Sequence, residues 1–223
     1  MSMIKKRGKN IIIRRGVIKT SFSDISLFDN MVYDEDITSI IIKSSFDLDD
    51  DLGPHFSQYP NLKEFEVREK NSRFVSYDGI LYMRLGEENS NSNIGTYCRY
   101  NNRNGDVVNI EKGLVLLCCP QSINKTDILI HKDCTVIYGS AFYGCRLNSI
   151  TIPDGIIMTC PGAFVNVTVN KLIVPKRRDV LLEASHNNVN KDVMIKCANG
   201  NDASSDDICA FWREMITGEF WEK

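Results

Sequence analysis

A short pattern of apolar and polar residues recurs at a fixed step of 22 positions in the second half of the chain. Segment 127–131 is followed by the similar segments 149–153 and 171–175, and the Ala-Phe pair at 141–142 is followed by another at 163–164. A period of this length is typical of solenoids, in which a single unit cannot bury its own apolar face and must stack on its neighbours. The repeat therefore predicts a stack of similar coils.

Alternation within one unit predicts which side chains point into the stack. Ile150 and Ile152 are two positions apart, so a strand places both on one face and turns Thr151 to the other. Phe164 lies on the return path, where its ring can fill the interior of a coil. Pro153 cannot donate a hydrogen bond to the next coil, so we expect the strand to end there. Each coil is predicted to be one short strand and a return loop.

Segment 134–153 reads CTVIYGSAFYGCRLNSITIP and resembles the repeat of the BspA-like leucine-rich-repeat proteins. The matching residues are Cys134, Ile137, Ala141, Phe142, Cys145, Leu147, Ile150, Ile152 and Pro153. The resemblance implies a mainly β fold, a leucine-rich-repeat solenoid of short parallel strands. It also implies an inserted β-hairpin region, because DGILY at 78–82 resembles the insertion found between coils in this family.

The predicted organisation is a single leucine-rich-repeat domain that spans residues 1–223. Ile42 and Val67 are equivalent inner positions at a step of 25, so repeats are also expected before the insertion, with a small bulge in that coil. We expect an N-terminal cap at 1–36, repeats at 37–70, a hairpin insertion at 71–121, repeats at 122–200 and a C-terminal capping helix at 201–223.

Two dipeptides in the insertion predict β-hairpins. Asp78-Gly79 stands between alternating residues, which is a strong signal for a two-residue hairpin turn. Asn104-Gly105 lies between segments 94–100 and 106–110 and predicts a second hairpin. Insertions in solenoids tend to project from one face of the stack, and that face is often the binding face.

The unit after Pro175 is the most degenerate of the series. Ser185-His186 stands where Ala-Phe is expected. Segment 192–195 is predicted to be a last strand, at a step of 21 from the strand before it. We interpret His186 as an altered core position rather than as a catalytic base.

The chain ends in a pattern of helical period. Ser204 or Ser205 can cap the start of a helix and Gly218 can end it. Its apolar residues fall at i, i+3, i+4, i+7 and i+8: Ile208, Phe211, Trp212, Met215 and Ile216. Two interpretations are open: the helix covers the open end of the stack, or it docks into another protein.

The net charge of −2 over 223 residues predicts no bulk attraction to nucleic acid or to an anionic membrane. No apolar run approaches the roughly 18 residues of a membrane span. The first residues also lack the pattern of a secretory signal peptide. We therefore expect a cytoplasmic protein, whereas the family resemblance implies a surface or secreted protein as the alternative.

Segment 1–23 carries seven basic side chains and no acidic one. The basic residues are Lys5, Lys6, Arg7, Lys9, Arg14, Arg15 and Lys19. A basic arm of this kind can bind phosphates, and its simpler interpretation is a solvated terminus.

The eight cysteines are predicted to be reduced structural thiols. Cys134 aligns with Ile156 and Cys145 with Val167, so both occupy core positions, where a thiol behaves as a small apolar group. The chain has no Cys-x-x-Cys pair, and the acidic segment 47–53 does not match an EF-hand loop. No histidine lies in a nucleophile motif. We expect no metal, no cofactor and no enzymatic activity.

The residue between the two inward ones in each strand is predicted to face outward. These residues form a stripe: Ile41, Glu66, Leu129, Thr151, Ile173 and Met194. Four of the six are apolar, and a contiguous exposed apolar strip marks an interaction site more often than chance. Two alternatives stay open: aliphatic side chains simply favour strands, or the insertion covers this face.

The predicted function is a non-catalytic protein-protein interaction module that presents its strand face to a protein ligand. The alternative is a structural or regulatory subunit that uses the basic arm to contact nucleic acid.

Overall fold

The computed structural model describes residues 11–14, 17–20, 35–42, 56–57, 59–68, 71–86, 99–101, 107–177, 179–182, 187–198 and 203–217. Several predictions fall outside these residues: the acidic segment 47–53, the turn at 104–105, the pair 185–186, Gly218 and most of the basic arm. The described side chains begin at residue 35.

The described residues form short strands and one helix. In chain order they are β1 (Ile11–Arg14), β2 (Val17–Thr20), β3 (Ser39–Ile42), β4 (Glu64–Val67), β5 (Phe74–Tyr77), β6 (Ile80–Leu85), β7 (Arg99–Asn101), β8 (Val107–Asn109), β9 (Gly113–Cys118), β10 (Asp127–Leu129), β11 (Cys134–Ile137), β12 (Arg146–Thr151), β13 (Met158–Thr159), β14 (Thr168–Val174), β15 (Leu181–Leu182), β16 (Met194–Cys197) and α1 (Ala203–Thr217).

The 22-residue period of the sequence corresponds to the register of a parallel sheet. In the sheet β10-β12-β14-β16, Ile128 pairs with Ile150, and Ile150 pairs with Leu172, so each partner lies 22 positions further along the chain. All three side chains are buried. The prediction of a mainly β solenoid of short parallel strands is confirmed.

The same kind of stacking occurs earlier in the chain. In the sheet β1-β2-β3-β4, Ile18 pairs with Ile40 in parallel, and Ile42 pairs with Val67, as the longer predicted step requires. Ile40 and Ile42 are buried, as the alternation predicts. Strand β1 is antiparallel to β2, so the parallel order ends at that edge.

The coils of β10, β12 and β14 each contribute a second strand that no sequence pattern predicted. Strands β11, β13 and β15 come from the return paths and pair in parallel; Val136, for example, pairs with Met158. All three strands are very short. Such a length carries too little alternation to distinguish a strand from a loop.

The Asp78-Gly79 hairpin is confirmed. Strands β5 and β6 are antiparallel, and Tyr77 pairs with Ile80 across a two-residue turn. Asp78 and Gly79 have φ angles of 53° and 82°, the left-handed region that a type I′ turn requires. Strands β7 and β8 form a second antiparallel pair at the second predicted hairpin.

The first hairpin is part of a sheet. The order β15-β13-β11-β9-β6-β5 is one six-stranded sheet, in which β6 is antiparallel to β9 and β9 is parallel to β11. The return strands of the coils thus share one hydrogen-bonded ladder with β5, β6 and β9 of the insertion. The expectation that the insertion projects from the stack is wrong for these strands, because their backbone groups extend the sheet.

The central strands of the six-stranded sheet are buried on both faces. On β9, Leu114 and Leu116 face a repeat core that contains the inward residues of β10, β12 and β14. Val115 and Leu117 face a hairpin core that contains the inward residues of β3 and β4. This burial explains the apolar run of β9, because a strand that is covered on both faces has no side exposed to solvent.

The C-terminal helix closes the repeat core. Trp212 is fully buried, and Ile208 and Ile216 are buried in the same core. The Arg213 guanidinium donates hydrogen bonds to the carbonyl oxygens of Lys191 (3.1 Å) and Val193 (2.8 Å). The capping interpretation is therefore confirmed.

The helix begins earlier than the sequence predicts. It starts at Ala203, which places Ser204 and Ser205 inside the first turn rather than at the cap. The apolar face starts only at Ile208, so helical periodicity gives no signal for the residues before it.

Asparagine side chains complete the end of the stack. In the preceding coil, Phe142 N donates to the carbonyl of Ala163 (3.1 Å). One coil later, Phe164 N donates to the side-chain Oδ1 of Asn187 (3.0 Å), and Val169 N donates to Oδ1 of Asn190 (2.7 Å). Side-chain amides thus replace the carbonyl groups that another coil would supply.

Replacing Trp212 tests the role of the helix. Trp212→Ala should lower the free energy of unfolding by about 3–5 kcal/mol, because it leaves a large cavity at the end of the repeat core. Trp212→Phe should cost clearly less, since it keeps an aromatic ring and removes an indole N–H that no group among the described residues accepts. Chemical denaturation of both variants measures the difference. Equal stability of the alanine variant and the parent would contradict the capping role.

Two glycines provide a matched test of the hairpin turn. Gly79→Ala should destabilise the protein by about 1–2 kcal/mol, because φ is +82° and the new Cβ would lie 3.2 Å from Cβ of Glu64. Gly86→Ala meets no atom within 4 Å. Its effect on the free energy of unfolding should stay within about 0.5 kcal/mol. Similar losses in the two variants would exclude a specific requirement at the turn.

Candidate protein-binding surface

Three of the six predicted outward residues form one row. Leu129 pairs with Thr151, and Thr151 pairs with Ile173, on the neighbouring strands β10, β12 and β14. Leu129 is 69% exposed, whereas Thr151 and Ile173 are half-buried. Neighbouring strands lie about 4.8 Å apart, so the three side chains are adjacent.

Met194 belongs to the neighbouring row. It is 51% exposed and faces outward, but it pairs with Lys171, and Lys196 takes the place opposite Ile173. The predicted last strand at 192–195 is therefore placed too early. The actual strand is Met194–Cys197, in which Ile195 and Cys197 pair with the inner positions of β14. The last coil is thus two residues longer than the predicted step.

Ile41 and Glu66 are separated from the other four residues. They pair with each other on β3 and β4, in a different sheet, and Ile41 is only 7% exposed. The prediction that Ile41 faces solvent is wrong. Glu66 is exposed and forms an ion pair with Arg68 at 3.1 Å.

The tip of the first hairpin interrupts the stripe between β4 and β10. On one side, Phe65 N of β4 donates to the carbonyl of Gly79 (2.8 Å). On the other side, Lys125 Nζ lies 2.9 Å from a carboxylate oxygen of Asp78. Because the turn contacts both stacks, the predicted continuous stripe is divided into two parts.

The hairpin adds an aromatic pair that sequence reasoning missed. The ring of Tyr77, 37% exposed, stacks on His131 with centroids 4.1 Å apart. His131 N donates to the hydroxyl of Tyr82 (3.3 Å), and Asp133 N donates to Nδ1 of His131 (3.3 Å). His131 follows Leu129 closely in the chain, so this pair adjoins the outward row. The sequence signals the turn, but it does not show that the tip packs on His131, just beyond β10.

A ladder of polar side chains follows the same sheet. Ser149 Oγ (2.5 Å) and Asn148 Nδ2 (2.7 Å) both donate to the carboxylate of Asp127. Asn170 Nδ2 then donates to Oδ1 of Asn148 (3.3 Å). The hydroxyl of Ser149, followed by the amide of Asn148, lowers the pKa of Asp127, because both donate to its ionised form. These side chains hold one another in place along the edge of the apolar row.

Cationic and apolar side chains alternate on the outward side of β14 and β16. Lys171 is followed on its own strand by Ile173, and their partners on β16 are Met194 and Lys196. The two lysines therefore lie on one diagonal of a four-residue block, and the two apolar side chains lie on the other.

Three of the buried thiols, at Cys118, Cys119 and Cys134, are not suited to nucleophilic chemistry. Burial raises the pKa of Cys134 to about 12 and also raises that of Cys118. A hydrogen bond with Cys145, and then burial, raises the pKa of Cys119. Thiolate is the reactive form, so these buried groups are poor nucleophiles near neutral pH. Within the described ranges, no three His, Cys, Asp or Glu residues come together in a possible metal site.

Among the described residues, no helix is long and apolar enough to cross a membrane. No protein-family model and no curated protein matches the chain.

Two solved structures are similar to the chain. A leucine-rich repeat protein from Eubacterium ventriosum has a TM-score of 0.46 and 16% identity, over 73% of this chain and 37% of that one. A leucine-rich cell surface protein from Faecalibacterium prausnitzii has a TM-score of 0.31 and 12% identity, over 82% of this chain and 55% of that one. The chain therefore spans about a third to a half of the length of these two proteins.

The chain's own repeat and geometry define its class. Residues that are 22 positions apart in sequence are partners in a parallel sheet. Phe142 and Phe164, of the two Ala-Phe pairs, stack inside the coils with centroids 5.5 Å apart and nearly parallel rings. The chain is a solenoid of short parallel strands, and its repeat resembles that of the BspA-like leucine-rich-repeat proteins.

Proposed function

We propose that this protein is a non-catalytic interaction module that binds a protein ligand on its strand face. The strand face is defined here as the outward side of β10, β12, β14 and β16 together with Tyr77 of the hairpin tip. One observation carries the proposal: the large hydrophobic side chains exposed in the described residues are Tyr77, Leu129 and Met194, and all three lie on this face. Burying these three side chains on a partner would be favourable.

The rigidity of the face supports this proposal. Its strands are fixed by the parallel ladder, and the Asp127, Asn148 and Asn170 side chains are fixed by their hydrogen bonds. A surface that is already ordered loses little conformational entropy on binding. The exposed Glu66 lies beyond the hairpin tip and Ile41 is buried, so neither belongs to the proposed surface.

The side chains of the face indicate the kind of ligand that it would accept. Ile173 and Met194 offer apolar contacts, and Lys171 and Lys196 place two positive charges beside them. A complementary protein surface would present apolar side chains flanked by carboxylates.

A double substitution tests the position of the binding surface. Thr151→Glu with Ile173→Glu adds two negative charges at adjacent positions in two well-formed coils. The parent and the variant are used to recover partners from an extract of the source cells. Any partner that binds the strand face should be recovered at least about tenfold less well with the variant, because carboxylates would be desolvated in the interface.

A matched control adds the same charges outside the strand face. Tyr143→Glu with Val165→Glu changes half-buried residues 22 positions apart in the same two coils, within the turns that precede the strands. This control should recover partners as the parent does. If the strand-face variant is folded by circular dichroism and recovers the same partners as the parent, the proposal is wrong.

Nucleic-acid binding by the basic arm remains a separate prediction, and the same experiment of recovering partners from a cell extract tests it. Nucleic acid that is retained by the parent and lost as the salt concentration rises would support the arm as the functional element.

A further inference from the structure

Two cysteine side chains meet where the C-terminal helix contacts the last strand. Cys197 ends β16, Cys209 lies in the second turn of α1, and their Sγ atoms are 3.6 Å apart. Both side chains are half-buried. The other described cysteines are buried, including Cys119 and Cys145, which also share a hydrogen bond. Among the described thiols, the pair at the helix is thus the one that is both in contact and within reach of solvent.

We propose that Cys197 and Cys209 are a disulfide-forming pair that fixes the capping helix to the last coil under oxidising conditions. The two residues are separated by eleven others, so the bond would close a short loop that contains the start of the helix. Bond formation requires the sulfur atoms to approach by roughly 1.5 Å, within reach of side-chain rotation.

The oxidant is a small-molecule disulfide such as oxidised glutathione. The thiolate of one cysteine attacks a glutathione sulfur, forms a mixed disulfide and releases one glutathione thiolate. The second cysteine, as a thiolate, then attacks the mixed disulfide, forms the Cys197–Cys209 bond and releases the second glutathione. The two cysteines lose two electrons and two protons, and the glutathione disulfide is reduced to two thiols.

The position of the pair means that the bond would limit the local opening of the C-terminal helix. The helix is held by buried side chains at Ile208, Trp212 and Ile216 and by the hydrogen bonds of Arg213. A terminal element of this kind is among the first to open locally. A covalent link near its start prevents complete detachment, so the helix stays beside the repeat core and can repack on it after the other contacts break.

The reactivity of the pair determines the conditions for a test. Burial, followed by the hydrogen bond with Cys197, raises the pKa of Cys209 to about 11. Thiolate is therefore scarce at neutral pH, and weak oxidants react slowly. Mildly alkaline buffer and long incubation are appropriate.

The experiment compares the full chain after treatment with oxidised glutathione and after treatment with excess dithiothreitol. Thiols are blocked, the protein is denatured, and thiol counts and intact masses are measured. The oxidised protein should retain six of its eight thiols, with one crosslink between the peptides that contain residues 197 and 209. Its thermal midpoint should rise by roughly 5–10 °C relative to the reduced protein.

Three variants make the result specific. Cys197→Ser and Cys209→Ser should each form no intramolecular crosslink and show no rise in midpoint, while their reduced midpoints establish that they fold. Cys98→Ser, at the cysteine outside the described residues, should crosslink and gain stability as the parent does. The proposal is overturned if all eight thiols of the parent survive oxidation, if glutathione adducts persist without a crosslink, or if the crosslink joins other cysteines.

Discussion

The central strands of the six-stranded sheet have to bury both faces, and this requirement organises the parallel stacks around them. Strands β6 and β9 alternate their side chains between the two cores, so neither strand has a side that water can occupy. The coils of the second half cover one face and strands β3 and β4 cover the other. A solenoid whose return strands faced solvent would instead need polar residues at positions such as Val136 and Met158, and both are buried apolar residues. Packing against the insertion thus explains their presence.

The parts of the fold that could be predicted are those that repeat or carry local backbone signals. Ile128, Ile150 and Leu172 indicate the parallel register because each copy supports the others. Asp78-Gly79 indicates the hairpin because only a few dipeptides accept two left-handed residues in succession. The layered arrangement has no comparable signal. Whether β9 is buried on one face or on two depends on contacts between segments that are distant in sequence, and an apolar run alone does not identify its partners.

The candidate surface also has one part that the sequence predicts and one part that it does not. Leu129, Thr151 and Ile173 are predictable as neighbours because they lie in intact repeats, and they are neighbours. Met194 lies in a different row from the predicted one, since the last coil has lost the markers that fix its length. A shift of two positions keeps the side chain on the same face but moves it to the next pair along the strand. The contribution of Tyr77 could not be predicted, because it depends on where the hairpin tip lies in three dimensions.

The asparagines at the end of the stack also limit what can be added to it. An open coil presents a row of backbone groups on which another chain could assemble by strand pairing, the usual origin of domain swapping and fibre growth. In the last coil, Asn187 and Asn190 accept from two backbone N–H groups of the preceding coil with their side chains, and α1 covers the core behind them. At the other edge the antiparallel β1 breaks the repeat. Within the described residues, side chains at one end of the stack and an antiparallel strand at the other therefore replace the parallel backbone pairing that joins one coil to the next.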